Sequence, residues 1–435
     1  MQVLKQAIDD AQSRYASLNP RSQIAARNAE RYMPGGNTRA VLHYDPFPLT
    51  MAAGQGAELT DLDGHRYVDF VGEFSAGLFG HSDEIIKEAV IDALGKGIVM
   101  GSPTAYEREL AGLLCERFNS IDQVRFCNSG TEANLLALVA ARSITGRNKI
   151  LAFNESYHGG VLKFPSGGNA LNVPFDFVLA DYNDAEGTAD VIDRCGTDLA
   201  AVIVEPILGA GGNIPAEQDF LEMLRHMTTK LDALLIFDEI KTARLGTAGI
   251  QGIMGIEPDL TTLGKFIAGG LPTGAFGGRT EIMAHFNPKL GGTLAHAGTF
   301  NNNVCSMAAG CAAMSKIYTP QCAADFFDRS EAFRQSLNEL FAAKAVPMHA
   351  NGMGSMIAIH FSDTPTTKPA DISAGCRSLR PLLHMELLLE GVLVCGRGDM
   401  FLSLPMSETH FSKGRLALER FIDRHRPLIE RVLQV

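Results

Sequence analysis

The feature that most constrains this chain is a repeat of pattern. Between residues 124 and 262, short apolar runs of strand length alternate with stretches of helical periodicity. The runs fall at 124–127, 149–153, 177–179, 200–204, 233–237 and 260–262. Strands separated by helices are joined by crossovers and run parallel, with the helices covering both faces of the sheet. The alternation therefore predicts an α/β fold built on a mostly parallel sheet. In such sheets ligands bind beyond the carboxyl ends of the strands, so the residues just past each run are the place to look for chemistry.

Those residues form a set. Ser129-Gly130-Thr131 follows the first run at a predicted helix start, where free backbone N–H groups, the helix dipole and two hydroxyls suit a phosphate. Tyr157-His158-Gly159 follows the second, Glu205-Pro206 the run 200–204, Asp238-Glu239 the run 233–237, and Lys265 the last. Taken singly each has an ordinary reading: a helix cap, a core aromatic, an acidic pair, a surface lysine beside a glycine-rich stretch read as turns to Gly278. Taken jointly they suit pyridoxal 5′-phosphate. A desolvated lysine is a good amine nucleophile, an aspartate pairs with the pyridinium nitrogen, and a helix N-terminus takes the phosphate.

Other chemistries lack their motifs. Gly209-Ala210-Gly211-Gly212 lacks the third glycine of a dinucleotide fingerprint, and Gly264-Lys265 has Asp259 and Phe266 where a P-loop needs glycine and Ser or Thr. There is no HExxH, no G-x-S-x-G and no CxxC, and no metal site is expected. A net charge of -11 opposes binding to nucleic acid. No apolar run reaches the length of a membrane span, and residues 1–18 lack a signal-peptide core. With eight scattered cysteines read as free thiols, a cytoplasmic location is expected.

Phe126-Cys127-Asn128-Ser129-Gly130-Thr131-Glu132-Ala133, Tyr157-His158-Gly159, Val204-Glu205-Pro206, Ile236-Phe237-Asp238-Glu239 and the run from Leu263-Gly264-Lys265 to Gly278 resemble the class III, fold-type I aminotransferases, and among them the glutamate-1-semialdehyde aminomutase subgroup. Tyr32-Met33-Pro34-Gly35, Pro46-Phe47-Pro48-Leu49, His296 through Asn303 and Arg397-Gly398 are similar to bacterial β-phenylalanine aminotransferases. The resemblance covers about residues 30–435. It implies that Lys265 forms the imine with the cofactor and then acts as base, and that Asp238 holds the pyridine nitrogen protonated. It further implies that Tyr157 stacks on the ring and that Ser129, Gly130 and Thr131 bind the phosphate. Glu205 is expected near the cofactor without an assigned role. Thr299 would reach the phosphate of a neighbouring subunit, which implies a homodimer with shared active sites. Arg39 and Arg397 would take substrate carboxylates, as a two-pronged guanidinium suits.

The implied architecture is a large, mostly parallel seven-stranded sheet domain at residues 60–320. An N-terminal arm at 1–59 and a C-terminal small α+β domain at 321–435 complete it. The implied activity moves an amino group from a β-amino acid, such as β-phenylalanine, to 2-oxoglutarate or pyruvate. Aminomutases carry Asn-Ser-Pro-Val-Arg after the Pro-Gly-Gly turn, whereas this chain reads Asn37-Thr38-Arg39. That departure favours transfer between molecules over the aminomutase reaction. A D-selective α-amino-acid transaminase and a catalytically silent relative are the remaining alternatives.

Overall fold

The computed structural model describes residues 2–434. Two helices, Gln2–Leu18 and Pro20–Ala29, open the chain, separated at Asn19-Pro20 because the proline ring fits only a first helical turn. Strands β1 (Met51–Gln55), β2 (Glu58–Asp61) and β3 (Arg66–Asp69) form an antiparallel unit, with Gly64 at φ +93° in the β2–β3 turn. Helices Glu84–Lys96 and Ala105–Arg117 follow, capped by the side chains of Asp83 and Thr104.

The large sheet is built from β4 (Gln123–Cys127), β5 (Lys149–Phe153), β6 (Asp176–Ala180) and β7 (Leu199–Val204), then, past the small β8–β9 hairpin (Ile207–Leu208 with Ile214–Pro215), β10 (Leu234–Asp238), β11 (Leu260–Gly264) and β12 (Gly274–Gly278). Its spatial order is β4-β12-β11-β10-β7-β5-β6, seven strands, with β12 alone running against its neighbours. Successive side chains alternate between two buried layers, as a pleated strand requires. Leu235, Phe237, Val202 and Val204 pack on one side with Phe220 and Leu224 of helix Gln218–Lys230. Leu234, Ile236, Ala201 and Ile203 pack on the other with Ala137 and Leu138 of helix Gly130–Thr145. Each large side chain so buried contributes about 1.5–3 kcal/mol. The interior of the sheet is thereby rigid where its carboxyl edge must hold a site.

One expectation is corrected here. The glycine-rich stretch after Lys265 is only partly turn: Gly269 and Gly270 take φ of +64° and +92°, but residues 274–278 form β12, threaded between β4 and β11. Its glycines serve close approach. A Cβ at Gly274 would stand 2.1 Å from the Ser129 carbonyl oxygen, and one at Gly278 would stand 2.4 Å from that of Asp259.

Beyond helix Pro320–Ala343 the chain adds β13 (His349–Met353) and β14 (Met356–His360), then helix Ala374–Leu389, β15 (Val392–Leu393), β16 (Asp399–Phe401) and helix Glu408–Leu433. Strand β16 joins β13 and β14, while β15 crosses to pair in parallel with β3. The arm is tied down by Arg14, which meets the buried Glu386 carboxylate at 2.5 Å, and by the Tyr15 hydroxyl donating to the Phe47 carbonyl at 2.9 Å. No described helix is long and apolar enough to cross a membrane.

Candidate active site

Lys265 is the first residue past β11 and sits at φ +57°, a left-handed conformation that a side-chain-bearing residue adopts only when its surroundings enforce it. Burial, reinforced by the nearby Lys241 ammonium, pulls its amine down to about 7, against the opposing pull of Asp238 and Glu205. Near neutral pH such a lysine holds a usable lone pair.

Asp238 ends β10 and is almost wholly buried. Its Oδ1 accepts from the Ile240 amide at 3.1 Å. Its Oδ2 accepts from His158 Nδ1 at 2.7 Å and from Asn134 Nδ2 at 2.8 Å. Asn134 also donates to the His158 carbonyl at 2.8 Å and accepts from the Thr262 hydroxyl at 2.6 Å. The carboxylate is therefore clamped from helix Gly130–Thr145, from the loop after β5 and, through Asn134, from β11. Among the described residues, His158 Nε2 is buried without a hydrogen-bond partner.

The N-terminus of helix Gly130–Thr145 lies against the same point. Ser129 is its N-cap, the hydroxyl accepting from the Glu132 amide at 3.2 Å, and the first amides of the helix have no intrahelical acceptor. Gly264, the residue before Lys265, packs against Gly130, where a Cβ would make ordinary van der Waals contact 3.6 Å from the Gly130 nitrogen. A Cβ on Gly159 would stand 2.3 Å from Thr131 Oγ1. Gly159 thus lets the Tyr157 segment close on the cradle.

Tyr157 is 41% exposed between two buried neighbours, Ser156 and His158, so its ring leaves the interior and faces the site. Its amide donates to Glu205 Oε1 at 2.8 Å, and Glu205 Oε2 accepts from Gly209 at 3.1 Å. Glu205, first past β7, is thus a buried carboxylate whose burial pushes it upward while His158, Lys241 and its backbone donors pull it down. Burial raises the Tyr157 hydroxyl too, against the positive charges of Arg39 and Arg397. Arg39 pairs with Glu73 and lies 5.1 Å above the Phe74 ring. Arg397 donates to Asp399 Oδ2 from Nε at 3.2 Å and from Nη2 at 2.8 Å. Beside these loops opens a cavity of about 620 Å³, its lining including Val41, Leu42, Glu73, Phe74, Val394 and Gly396; neither guanidinium and none of Tyr157, Asp238 and Lys265 lines it.

Two residues of the sequence set lie apart. Glu239 points away from Asp238. It accepts from the Gln251 and Ile250 amides at 2.8 and 3.1 Å and from the Thr242 hydroxyl at 2.5 Å, holding helix Gly249–Met254. Thr299 is exposed on the loop 291–303 beside Phe300. Three groups in the cluster were not singled out as site residues from the sequence. His158 and Lys241 stand within quoted or adjacent post-strand segments. Asn134 had a fainter signal, one polar residue on the otherwise apolar face shared with Leu138 and Ala141.

The arrangement fits pyridoxal 5′-phosphate. A helix N-terminus with unpaired amides suits the phosphate, the low Lys265 amine suits the aldehyde, the clamped Asp238 suits the ring nitrogen, and the outward Tyr157 ring suits the ring face.

Comparisons with known proteins agree with this geometry. The family model of class-III aminotransferases matches residues 41–407. The chain is 47% identical over 429 residues to the β-phenylalanine transaminase of Variovorax paradoxus, covering 99% of each. The crystal structure of a β-phenylalanine aminotransferase from V. paradoxus superposes with a TM-score of 0.96 at 48% identity, covering 98% of this chain and 99% of that one. A transaminase with PLP bound superposes with a TM-score of 0.85 at 30% identity, covering 93% of this chain and 98% of that one.

Proposed function

This chain belongs to the class-III aminotransferases, pyridoxal 5′-phosphate enzymes of fold-type I, and from that membership we propose that it moves the amino group of a β-amino acid, aromatic ones such as β-phenylalanine included, to 2-oxoglutarate or pyruvate. The observation that carries the substrate reading is the apolar cavity of about 620 Å³ set beside the Arg39 and Arg397 loops. Its apolar lining suits a hydrophobic side chain, and the loops next to it carry the guanidiniums that suit a carboxylate. Near-full-length similarity to the V. paradoxus β-phenylalanine transaminase supports the same class.

When bound, the cofactor supplies an aldehyde that condenses with amines and a ring that takes up the electrons of a broken C–H bond. The chain supplies the rest. Lys265, with an amine near 7, takes the proton from the carbon that bears the nitrogen, since a base is most effective when its pKa lies near the working pH. Asp238, fixed by Asn134 and His158, keeps a proton on the ring nitrogen. Tyr157 covers the ring face, and Ser129, Gly130 and Thr131 receive the phosphate. Glu205 holds the Tyr157 and Gly209 amides and so shapes the wall beside Lys265. Arg39 and Arg397 orient the carboxylates.

The reading extends to a homodimer in the cytoplasm, with Thr299 reaching the partner's phosphate. In its support, Ile98, Val99, Met100, Leu290 and Phe300 are 44–82% exposed, the kind of apolar surface a second copy would cover. The eight cysteines are free. We assign residues 60–320 to the cofactor-binding domain, 1–59 to the arm and 321–435 to the small domain.

A donor panel tests the substrate class: both enantiomers of 3-amino-3-phenylpropanoate, a set of α-amino acids and glutamate-1-semialdehyde, each with 2-oxoglutarate and with pyruvate. The β-amino acid should give the highest kcat/KM. Conversion of the semialdehyde with no acceptor added would replace this reading by the aminomutase, and preference for a D-α-amino acid would replace it by that transaminase.

A further inference from the structure

A second lysine stands in the site with no role in the chemistry above. Lys241 follows Asp238 by three residues, in the turn between β10 and the single helical turn Thr242–Leu245. Its side chain is half-buried, the ammonium 5.1 Å from the centre of the Phe401 ring. It lies so close over Gly209 that a Cβ there would stand 2.6 Å from Nζ. Among the described residues, no carboxylate comes within 4.0 Å of that ammonium and no hydrogen-bond acceptor reaches it.

The nearest acids have other partners. Asp399 accepts both the Nε and the Nη2 of Arg397 on one oxygen and is 1% exposed. Glu205 gives one oxygen to the Tyr157 amide and the other to the Gly209 amide. The remaining strong influence on Lys241 is a second cation, Arg397, whose charge, with burial, disfavours the ammonium while Asp399 and Glu205 oppose the loss. A half-buried ammonium left without a counter-ion in the same site as the Arg397 guanidinium and the Lys265 amine is a place for an anion the chain does not itself provide.

We propose that Lys241 is a substrate-binding residue: its ammonium, acting with the Arg397 guanidinium, holds one carboxylate of a dicarboxylic keto acid. The proposal rests on the aminotransferase reading and narrows it. Arg39, on a separate loop, is the second cationic centre, so the site offers one cation cluster to each end of a dicarboxylate. A five-carbon diacid such as 2-oxoglutarate satisfies both, whereas pyruvate satisfies one. Lys241 acts as a compact point charge where Arg397 supplies directed donors.

The test uses the holoenzyme and glutarate, a dicarboxylate that cannot react. Calorimetric titration of glutarate is compared in the wild type, Lys241→Met and Lys241→Arg, together with KM and kcat for 2-oxoglutarate and pyruvate. Lys241→Met should weaken glutarate and raise the KM for 2-oxoglutarate by roughly tenfold to a hundredfold, the scale of one lost charge-assisted hydrogen bond. It should alter pyruvate less, and Lys241→Arg should recover most of the loss. The melting temperature should stay level or rise in Lys241→Met, because a methionine removes an unpaired half-buried charge. A lysine kept for structure would instead lower it. Unchanged glutarate affinity in Lys241→Met overturns the proposal, as does a loss of affinity equal for glutarate and pyruvate. Lys241-dependent glutarate binding in an enzyme that turns over no donor would sink the substrate reading and leave the carboxylate site standing.

Discussion

Replacing Asn134 by alanine removes three hydrogen bonds at once from a dry part of the molecule. Its Nδ2 donates to the Asp238 carboxylate and to the His158 carbonyl, both at 2.8 Å, and its Oδ1 accepts from the Thr262 hydroxyl at 2.6 Å. Asn134 and Thr262 are fully buried and Asp238 is 4% exposed, so water does not take over. A bond to a charged group is worth about 1.5–3 kcal/mol and each neutral one about 1 kcal/mol. The apoenzyme should therefore lose about 4 kcal/mol, a large share of the 5–15 kcal/mol that typically separates folded from unfolded chains. Urea unfolding of the apoenzyme, followed by circular dichroism, measures the loss as a lowered midpoint at unchanged slope. Thr262→Val should lose about 1 kcal/mol alone and nothing further in the Asn134→Ala background, since its acceptor is already gone. In the loaded enzyme Asp238 would be less firmly aimed, and kcat should fall with stability. An Asn134→Ala protein within 1 kcal/mol of wild type, or a Thr262→Val effect equal in both backgrounds, would refute the clamp.

Lys265→Ala should bind the cofactor without covalent attachment and lose roughly 10²- to 10⁴-fold or more in turnover; borohydride should fix the cofactor to the wild type and not to the variant, and retained activity would overturn the assignment. Acylation of Lys265 in the apoenzyme, read by peptide mass, should rise with pH about a midpoint near 7, and Lys241→Met should move that midpoint upward because a neighbouring positive charge is removed. A midpoint near the ordinary lysine value of about 10.4 would contradict the enclosed geometry. Burial would raise Glu386, but His425, Arg14 and Arg424 outweigh it and hold the carboxyl below its ordinary value. The folded pKa being the lower one, this contribution is present above the ordinary carboxyl range and is lost as pH falls through the folded value. Glu386→Gln should accordingly lose about 2 kcal/mol at neutral pH and match wild type in strong acid, as melting temperatures at both pH values would show.

The sequence by itself determined the parts of this protein that depend on neighbours in the chain. Apolar runs between helical stretches set the parallel sheet, and because parallel strands end on one edge, the residues next to each run had to be neighbours in space. Ser129, Tyr157, Glu205, Asp238 and Lys265 were legible for that reason. Tertiary structure decided what depends on partners far along the chain. Residues 274–278 read as turn but form a strand, because β4 and β11 pair with both its edges, and Gly274, Gly277 and Gly278 fit where neighbouring atoms leave no room for a Cβ. Glu239, identical in local context to a site acid, was drawn off by the amides of residues 250 and 251. Asn134 became the clamp on Asp238 through partners 24, 104 and 128 residues away. Lys241 was left without a counter-ion because Glu205 gives both its oxygens to backbone amides and Asp399 turns one to Arg397. Hydrogen-bond capacity and charge are allotted only when the chain has closed on itself, and no local pattern records that allotment.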